Sequence, residues 1–311
     1  MTITIAQTIG IDISKDTLDV AFYPDERSRQ FKNTPDGHRA LIRWLTAYDV
    51  TRLIFEATGA YHHELERTLR KQGLPAIKVN PKQAKRFGQA TGRLAKTDRA
   101  DAYMLAQFGA VLKPDPGTFK CDILDQLTEL LSARQALIKN QIAQKNRLKT
   151  KRNPLLQSQG KQHLKQIKAI EKECRGLIKQ DQGLQDRFLI LESIPGLGFI
   201  TSLSILAHMP ELGKMNEKQV ASLAGLAPIT RQSGKWQGKS FIQGGRKNIR
   251  DALYIPALVA VRFNKDFEDK YQALLGAGKL KKVALVAIMR KMLILANALL
   301  RDQRKWTEIK A

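Results

Sequence analysis

Two apolar runs each end in a carboxylate: Thr8-Ile9-Gly10-Ile11-Asp12 and Leu53-Ile54-Phe55-Glu56. Each has the length and composition of one buried strand. Around the first run, residues 9–13 and 17–23 flank the turn Ser14-Lys15-Asp16, the pattern of a hairpin. Phe31-Lys32-Asn33 reads as a short third strand. Thr34-Pro35-Asp36-Gly37 then opens a helix reaching about Tyr48, with Leu41, Ile42, Trp44 and Leu45 on its apolar face. Residues 53–56 form the next strand, 61–72 a helix stopped by Gly73, and 76–79 a last strand ended by Asn80-Pro81. Hairpin strands first, then alternating helix and strand, predict one mixed α/β domain over residues 1–115.

Residues 82–96 are basic and punctuated by Gly88 and Gly92. Thr97 starts a helix running to about Leu112, and Pro114-Asp115-Pro116-Gly117 marks the clearest boundary in the chain. From 122 to 152, Leu124, Leu127, Leu131 and Ile138 recur at helical spacing, and Pro154 is read as the end of that helix. A second helix over about 161–191 carries Leu164, Ile167, Cys174 and Ile178. Two long, charged, narrow-striped helices predict a helical hairpin or coiled coil over 116–191, formed within one chain or between chains. Residues 192–311 read as a mainly α domain with one Gly-rich loop over 226–247. Its helices are expected at 199–208, from 217 to Gly225, at 249–262 and at 279–301.

The chain of 311 residues has 53 Lys+Arg against 29 Asp+Glu, a net charge of +24. That exceeds what solubility needs and attracts polyanions. An anionic membrane would call for a basic amphipathic helix or a lipidation signal, and neither is evident. The most apolar stretch, 280–300, is interrupted by Lys281, Lys282, Arg290 and Lys291. Two cysteines, Cys121 and Cys174, form neither a zinc motif nor a disulfide framework. A reduced, cytoplasmic protein is expected.

Where acid is scarce, its placement is informative. Asp12 and Glu56 end strands that can lie side by side, and Asp98 and Asp101 share a helix face at i, i+3. Phosphoryl transfer with two metals needs carboxylates converging on ions ~3.5–4 Å apart, and Mg²⁺ prefers such oxygens. Three of the acids have an ordinary reading too. Asp98 alone suits a helix start, Asp101 a surface acid, and Gly10-Ile11-Asp12 the opening strand of an actin-like ATPase. The five histidines show no metal-ligand spacing; His62 and His63 are expected at the surface.

Taken in order, Gly10-Ile11-Asp12, Glu56-Ala57-Thr58-Gly59 and Lys96-Thr97-Asp98-Arg99-Ala100-Asp101-Ala102 resemble the DEDD transposases of the insertion-sequence 110 class, which include the Piv-type DNA invertases. The resemblance implies an N-terminal RuvC-like domain of the RNase H superfamily. It implies Mg²⁺, as two ions, held by Asp12, Glu56, Asp98 and Asp101. Ala224-Gly225-Leu226-Ala227-Pro228, Gln232-Ser233-Gly234 and Gly244-Gly245-Arg246-Lys247-Asn248 resemble the C-terminal transposase domain of the same family. There a serine in the Ser-Gly step becomes covalently linked to DNA, which implies Ser233 as nucleophile, with Ser240 a rival in the same loop. The resemblance also implies a homo-oligomer, dimer to tetramer, and a structured noncoding guide RNA that specifies donor and target double-stranded DNA.

Other residues read as nucleic-acid contacts. Ile194-Pro195-Gly196-Leu197-Gly198 looks like the hairpin of a helix-hairpin-helix element, whose backbone amides suit a phosphate. Arg231 and Lys235, with Lys239, flank the serine. Arg246, Lys247 and Arg250 run into a helix N-terminus. Trp236 offers a ring for base stacking, and Tyr254 is expected to pack within an apolar stretch. Two alternatives stay open at this level: a RuvC-like junction nuclease using water as nucleophile, and a nucleic-acid-binding protein without catalysis.

Overall fold

A computed structural model describes residues 7–57, 59, 61–92, 97–115, 121–150, 154–234 and 236–307. The chain divides into two compact units, Met1–Phe119 and Lys120–Ala311.

The first unit opens with the strands β1 (Gln7–Ile13), β2 (Thr17–Tyr23) and β3 (Ser28–Lys32), followed by α1 (Pro35–Leu45) and β4 (Val50–Glu56). Then come α2 (His63–Lys71), β5 (Ala76–Val79), α3 (Pro81–Ala90) and α4 (Asp98–Leu112). The strands form one sheet in the order β3-β2-β1-β4-β5. Pairing is antiparallel from β3 to β1 and parallel from β1 to β5. The mixed α/β architecture thus matches the reading of the sequence. The basic segment after Asn80-Pro81 is a further helix, α3: Asn80 caps it by accepting from the Lys82 amide, with proline at its first turn.

Strand residues alternate between two faces. Ile9, Ile11, Leu53 and Phe55 pack with Leu41 and Leu45 of α1 and Leu65 and Leu69 of α2. Ile54 and Ile77 pack with Leu105 and Phe108 of α4. Gly10 shares this second face. A Cβ there would collide with the Ala102 carbonyl oxygen and the Ala106 amide. Gly109 answers it from the helix, where a Cβ would fall 2.8 Å from Thr8 Cγ2 and onto the Ile54 side chain. Helix α4 therefore lies almost backbone to backbone on β1.

The second unit consists of α5 (Asp122–Leu148), α6 (Pro154–Lys179), α7 (Gln182–Glu192), α8 (Phe199–His208) and α9 (Glu217–Ala224), then four two-residue strands, then three helices. The strands are β6 (Pro228–Ile229), β7 (Gln232–Ser233), β8 (Trp236–Gln237) and β9 (Phe241–Ile242); the helices are α10 (Lys247–Phe263), α11 (Lys265–Gly276) and α12 (Lys281–Arg301). Pro154 begins α6 rather than ending α5, since a proline at the first turn forfeits no helical hydrogen bond. The expected second long helix is two: Asp181 accepts from the Leu184 amide and starts α7 anew. Arg134 of α5 pairs with Glu171 of α6 at 2.8 Å. Leu124, Leu127 and Leu131 of α5 and Cys174, Leu177 and Ile178 of α6 join one core with the C-terminal helices. Helix α12 is long and apolar enough to cross a membrane, yet it is the central element of that core, with Ala284, Ile288, Met292, Ala296 and Leu299 fully covered.

The contact between α4 and β1 sets an expectation. Gly10→Ala destabilises the protein by about 3 kcal/mol through overpacking against backbone that cannot yield. Gly176→Ala, exposed on α6 with nothing within 4 Å of its Cβ, raises stability by up to about 1 kcal/mol through helix propensity. Urea unfolding of both variants measures this, and similar effects at the two positions would contradict the close approach.

Candidate active site

Asp12 is the sixth residue of β1 and Glu56 the last of β4. These neighbouring strands are parallel, with Ile11 paired to Phe55, so both acids emerge at the same end of the sheet. Both also lie on the α4 face, two residues beyond Gly10 and Ile54 respectively. The Thr97 side chain accepts from the Ala100 amide at 3.2 Å and starts α4, which puts Asp98 and Asp101 in its first turn. The glycine-mediated contact between helix and strand carries that turn toward the strand ends.

Electrostatics records the convergence. The Asp12 carboxyl is pushed up to about 6, first by burial and then by Asp101, Asp98, Asp19 and Glu56. Burial and then Asp101 also raise Glu56. Among the described residues, no lysine or arginine pairs with Asp12, Glu56, Asp98 or Asp101. In a chain of net charge +24, these four acids form an anionic centre that no described lysine or arginine neutralises. Hard oxygen donors lacking a cation partner fit a divalent metal.

Asp19 belongs to the same centre and was missed in the sequence. It pairs with Asp12 across the hairpin and accepts from Gln30 Nε2 at 3.0 and 3.2 Å. Burial and Asp98 raise its pKa, against the lowering effect of Gln30. Counting back from the turn Ser14-Lys15-Asp16 would have found it, since Ile13 faces Leu18 and Asp12 faces Asp19.

One trio among the described residues, His62, His63 and Glu66, has ligand atoms all within 4.8 Å of one another. Its carboxylate is already engaged: Lys78 Nζ lies 2.8 Å from Glu66 Oε2, and Arg70 3.6 Å from Oε1. His62, expected at the surface, is buried beside Phe55, because the chain after β4 folds back over the sheet.

In the second unit, the Gly-rich loop is a two-tier β-ribbon. Its stem pairs Pro228 with Ile242 and Ile229 with Phe241; its tip pairs Ser233 with Trp236. Gly234 turns the tip with φ +56°. Lys235 lies outside the described residues. Ser233 is exposed, and Trp236 is 60% exposed. Ser240 lies between β8 and β9, outside both pairings.

The basic residues divide by partner. Arg246 makes two bonds of 2.7 Å to Glu211 and one of 2.7 Å to the His208 carbonyl. Arg250 donates to the Ala224 carbonyl at 3.0 Å and to that of Gly244. These two close the base of the ribbon. Lys247 pairs with Asp251, and Arg231 lies over the Phe241 ring at 4.9 Å. Gly196, with φ +87°, abuts α10, where its Cβ would stand 2.6 Å from the Pro256 carbonyl oxygen. Gly198 is open and caps α8. Tyr254, expected to pack, is 42% exposed on the outer face of α10, beside Ile255 and Leu258.

Two family models match successive stretches of the chain. The model of the DEDD IS110 transposases, described as "Transposase", matches residues 9–152. The model described as "Transposase IS116/IS110/IS902 family" matches residues 189–272. Pilin gene-inverting proteins of Moraxella bovis and Moraxella lacunata are 30% and 31% identical to the chain. Both alignments cover 95% of this chain and 96% of the relative. The transposase for insertion sequence element IS1111A of Coxiella burnetii is 22% identical, covering 84% of this chain and 80% of its own. The chain belongs to the IS110-class transposase and recombinase family.

The acid cluster predicts a pH dependence. Asp12 ionises near 6 when folded and near 3.8 when unfolded, so the folded state holds its proton more tightly. Its contribution to stability is complete below about 3.8 and is lost as pH rises through about 6. Asp12→Asn is expected to raise the Tm of metal-free protein by a few degrees at pH 7, with the gain shrinking as pH falls from 6 toward 4. Thermal melts across that range measure it; a gain independent of pH would contradict the coupling.

Proposed function

We propose that this chain is a DNA transposase and site-specific recombinase that exchanges strands through a covalent phosphoserine intermediate. The observation that carries the reading is the acid centre at the ends of β1 and β4, beneath the first turn of α4, which has no cation partner among the described residues. On this reading the first unit is RuvC-like, and Asp12, Glu56, Asp98 and Asp101 hold Mg²⁺, as two ions. Such ions, when bound, neutralise the charge that builds on a phosphodiester during in-line displacement. Relatives named for inverting a pilin gene support conservative strand exchange over hydrolysis.

Ser233 supplies the attacking oxygen. Its Oγ forms a bond to phosphorus as the bond from phosphorus to a deoxyribose oxygen breaks. The serine proton leaves to solvent, and the released sugar oxygen takes one up. One phosphodiester replaces another, so a partner hydroxyl reverses the step on a second strand and frees Ser233. Exposure at the tip of a ribbon suits a nucleophile that meets its substrate in a DNA complex. Arg246 and Arg250 hold the ribbon's base, while Arg231, Lys235, Lys247 and the amides near Gly196 and Gly198 are the phosphate contacts of this reading. Trp236 stacks on a base.

Donor and target double-stranded DNA, with a structured noncoding RNA that selects them, are the partners of this reading. A net charge of +24 suits both polyanions. The acids and the serine lie on different units of the chain. A homo-oligomer, dimer to tetramer, would join them across subunits, with residues 116–191 as the coiled-coil region, 1–115 as the metal domain and 192–311 as the serine domain.

Protein, Mg²⁺, cognate DNA and co-purified RNA, incubated and digested, should yield DNA linked to Ser233 by mass spectrometry. Ser233→Ala is expected to abolish adduct and strand transfer, and Asp12→Ala to do the same. Cleavage that survives Ser233→Ala would instead mark a nuclease using water. Modification of Ser240 or Tyr254 would move the nucleophile.

A further inference from the structure

The segment Lys32-Asn33-Thr34-Pro35-Asp36-Gly37-His38 carries no role in the site described so far. Its hydrogen bonds nevertheless lead to the two loops that follow the acid-bearing strands. The Asn33 amide N–H donates to the Asp16 carbonyl at 2.9 Å. Its side-chain Nδ2 donates to the Ser14 carbonyl at 2.8 Å and to the Tyr61 carbonyl at 3.2 Å. Ser14 stands two residues after Asp12, and Tyr61 five residues after Glu56. One side-chain amide thus ties the loop beyond Asp12 to the loop beyond Glu56.

A buried imidazole sets that amide's orientation. His38 Nε2 lies 2.8 Å from Asn33 Oδ1, and His38 is fully covered. Because Nδ2 donates to two carbonyls, Oδ1 must accept, so the His38 proton resides on Nε2. Among the described residues Nδ1 has no hydrogen-bond partner, which suits its role as the unprotonated nitrogen. Burial outweighs the opposing effect of Glu64 and keeps the ring below the usual histidine pKa, hence neutral. The local backbone is built around this contact. A Cβ on Gly37 would collide with the Lys32 carbonyl, so α1 starts directly against the end of β3. Thr34 Oγ1 accepts from the Gly37 amide at 3.3 Å and caps that start.

We propose that Asn33, oriented by neutral His38, is a positioning residue that fixes the separation of the Asp12 and Glu56 loops and thereby the metal affinity of the acid centre. This rests on the metal-site reading above. Asn33 touches no reacting atom; it acts through the two loops it joins. Groups that hydrogen-bond the ligands themselves typically account for about 10- to 100-fold in affinity or activity, and Asn33 acts one step beyond them.

The test uses full-length Asn33→Ala, His38→Leu and His38→Gln, with Asp12→Asn as reference. Mn²⁺ binding to metal-free protein is followed by electron paramagnetic resonance, and Mg²⁺ dependence by strand cleavage. Asn33→Ala and His38→Leu are expected to raise the half-saturating metal concentration about 10-fold, the lower end of that range, while the circular dichroism stays native. His38→Gln keeps an N–H for Asn33 Oδ1 and is expected to stay within a few-fold of wild type. Wild-type metal curves for Asn33→Ala overturn the proposal. So do equal losses in His38→Leu and His38→Gln, which would mark packing alone; this comparison decides if Asn33→Ala fails to fold. Asp12→Asn separates the two levels. Unchanged Mn²⁺ binding in that variant overturns the metal site itself. Binding lost there but kept in Asn33→Ala overturns only the positioning role.

Discussion

The approach of α4 to β1 is the constraint on which the first unit depends. Gly10 and Gly109 remove the two side chains that would hold helix and strand apart, and Ala102 and Ala106 keep the seam thin. A seam that tight lets the helix neither slide nor lift without losing packed contact. Its first turn is therefore fixed over the ends of β1 and β4. The capping hydroxyl of Thr97 then decides which residues occupy that turn. The core and the acid centre share one cause: the geometry that buries Leu105 and Phe108 also delivers Asp98 and Asp101.

Gathering carboxylates in this way opposes folding. Asp101, Asp98, Asp19 and Glu56 all act on Asp12, which is driven toward neutral by burial before repulsion. The fold tolerates this because neighbouring features are over-determined. The hairpin register presents Asp19, Gln30 holds it, and the Asn33 amide closes the strand-end loops. Stability withheld at a site and supplied by its surroundings is the usual signature of function rather than of packing.

The second unit solves a different problem. Its helices bury a single apolar core, and from it rises a short ribbon with little core of its own. Two-stranded ribbons are marginal alone. Here the base is held by Arg246 against Glu211 and by Arg250 against two carbonyls. Cationic side chains that seemed free to meet phosphate in the sequence are thus partly consumed in presenting Ser233. Charge counting could not separate these uses, because both require an arginine beside a glycine-rich turn.

The five strands of the first unit and the helix bearing the acid pair were legible in the sequence, because period-two burial, helical spacing and cap residues are local signals. Helices α3 and α11 were not. The first follows an Asn-Pro step that also ends a strand, and the second has only Phe267 fully buried, leaving too weak an apolar stripe to read. Asp19 and Asn33 were hidden for another reason. Each is an ordinary polar residue until strand register and chain reversal set it against residues distant in sequence. The sequence determined which groups are candidates for the chemistry, since residue type and local periodicity are written in it. Only the tertiary structure decided which of them meet, because that depends on how closely a helix can lie on a strand.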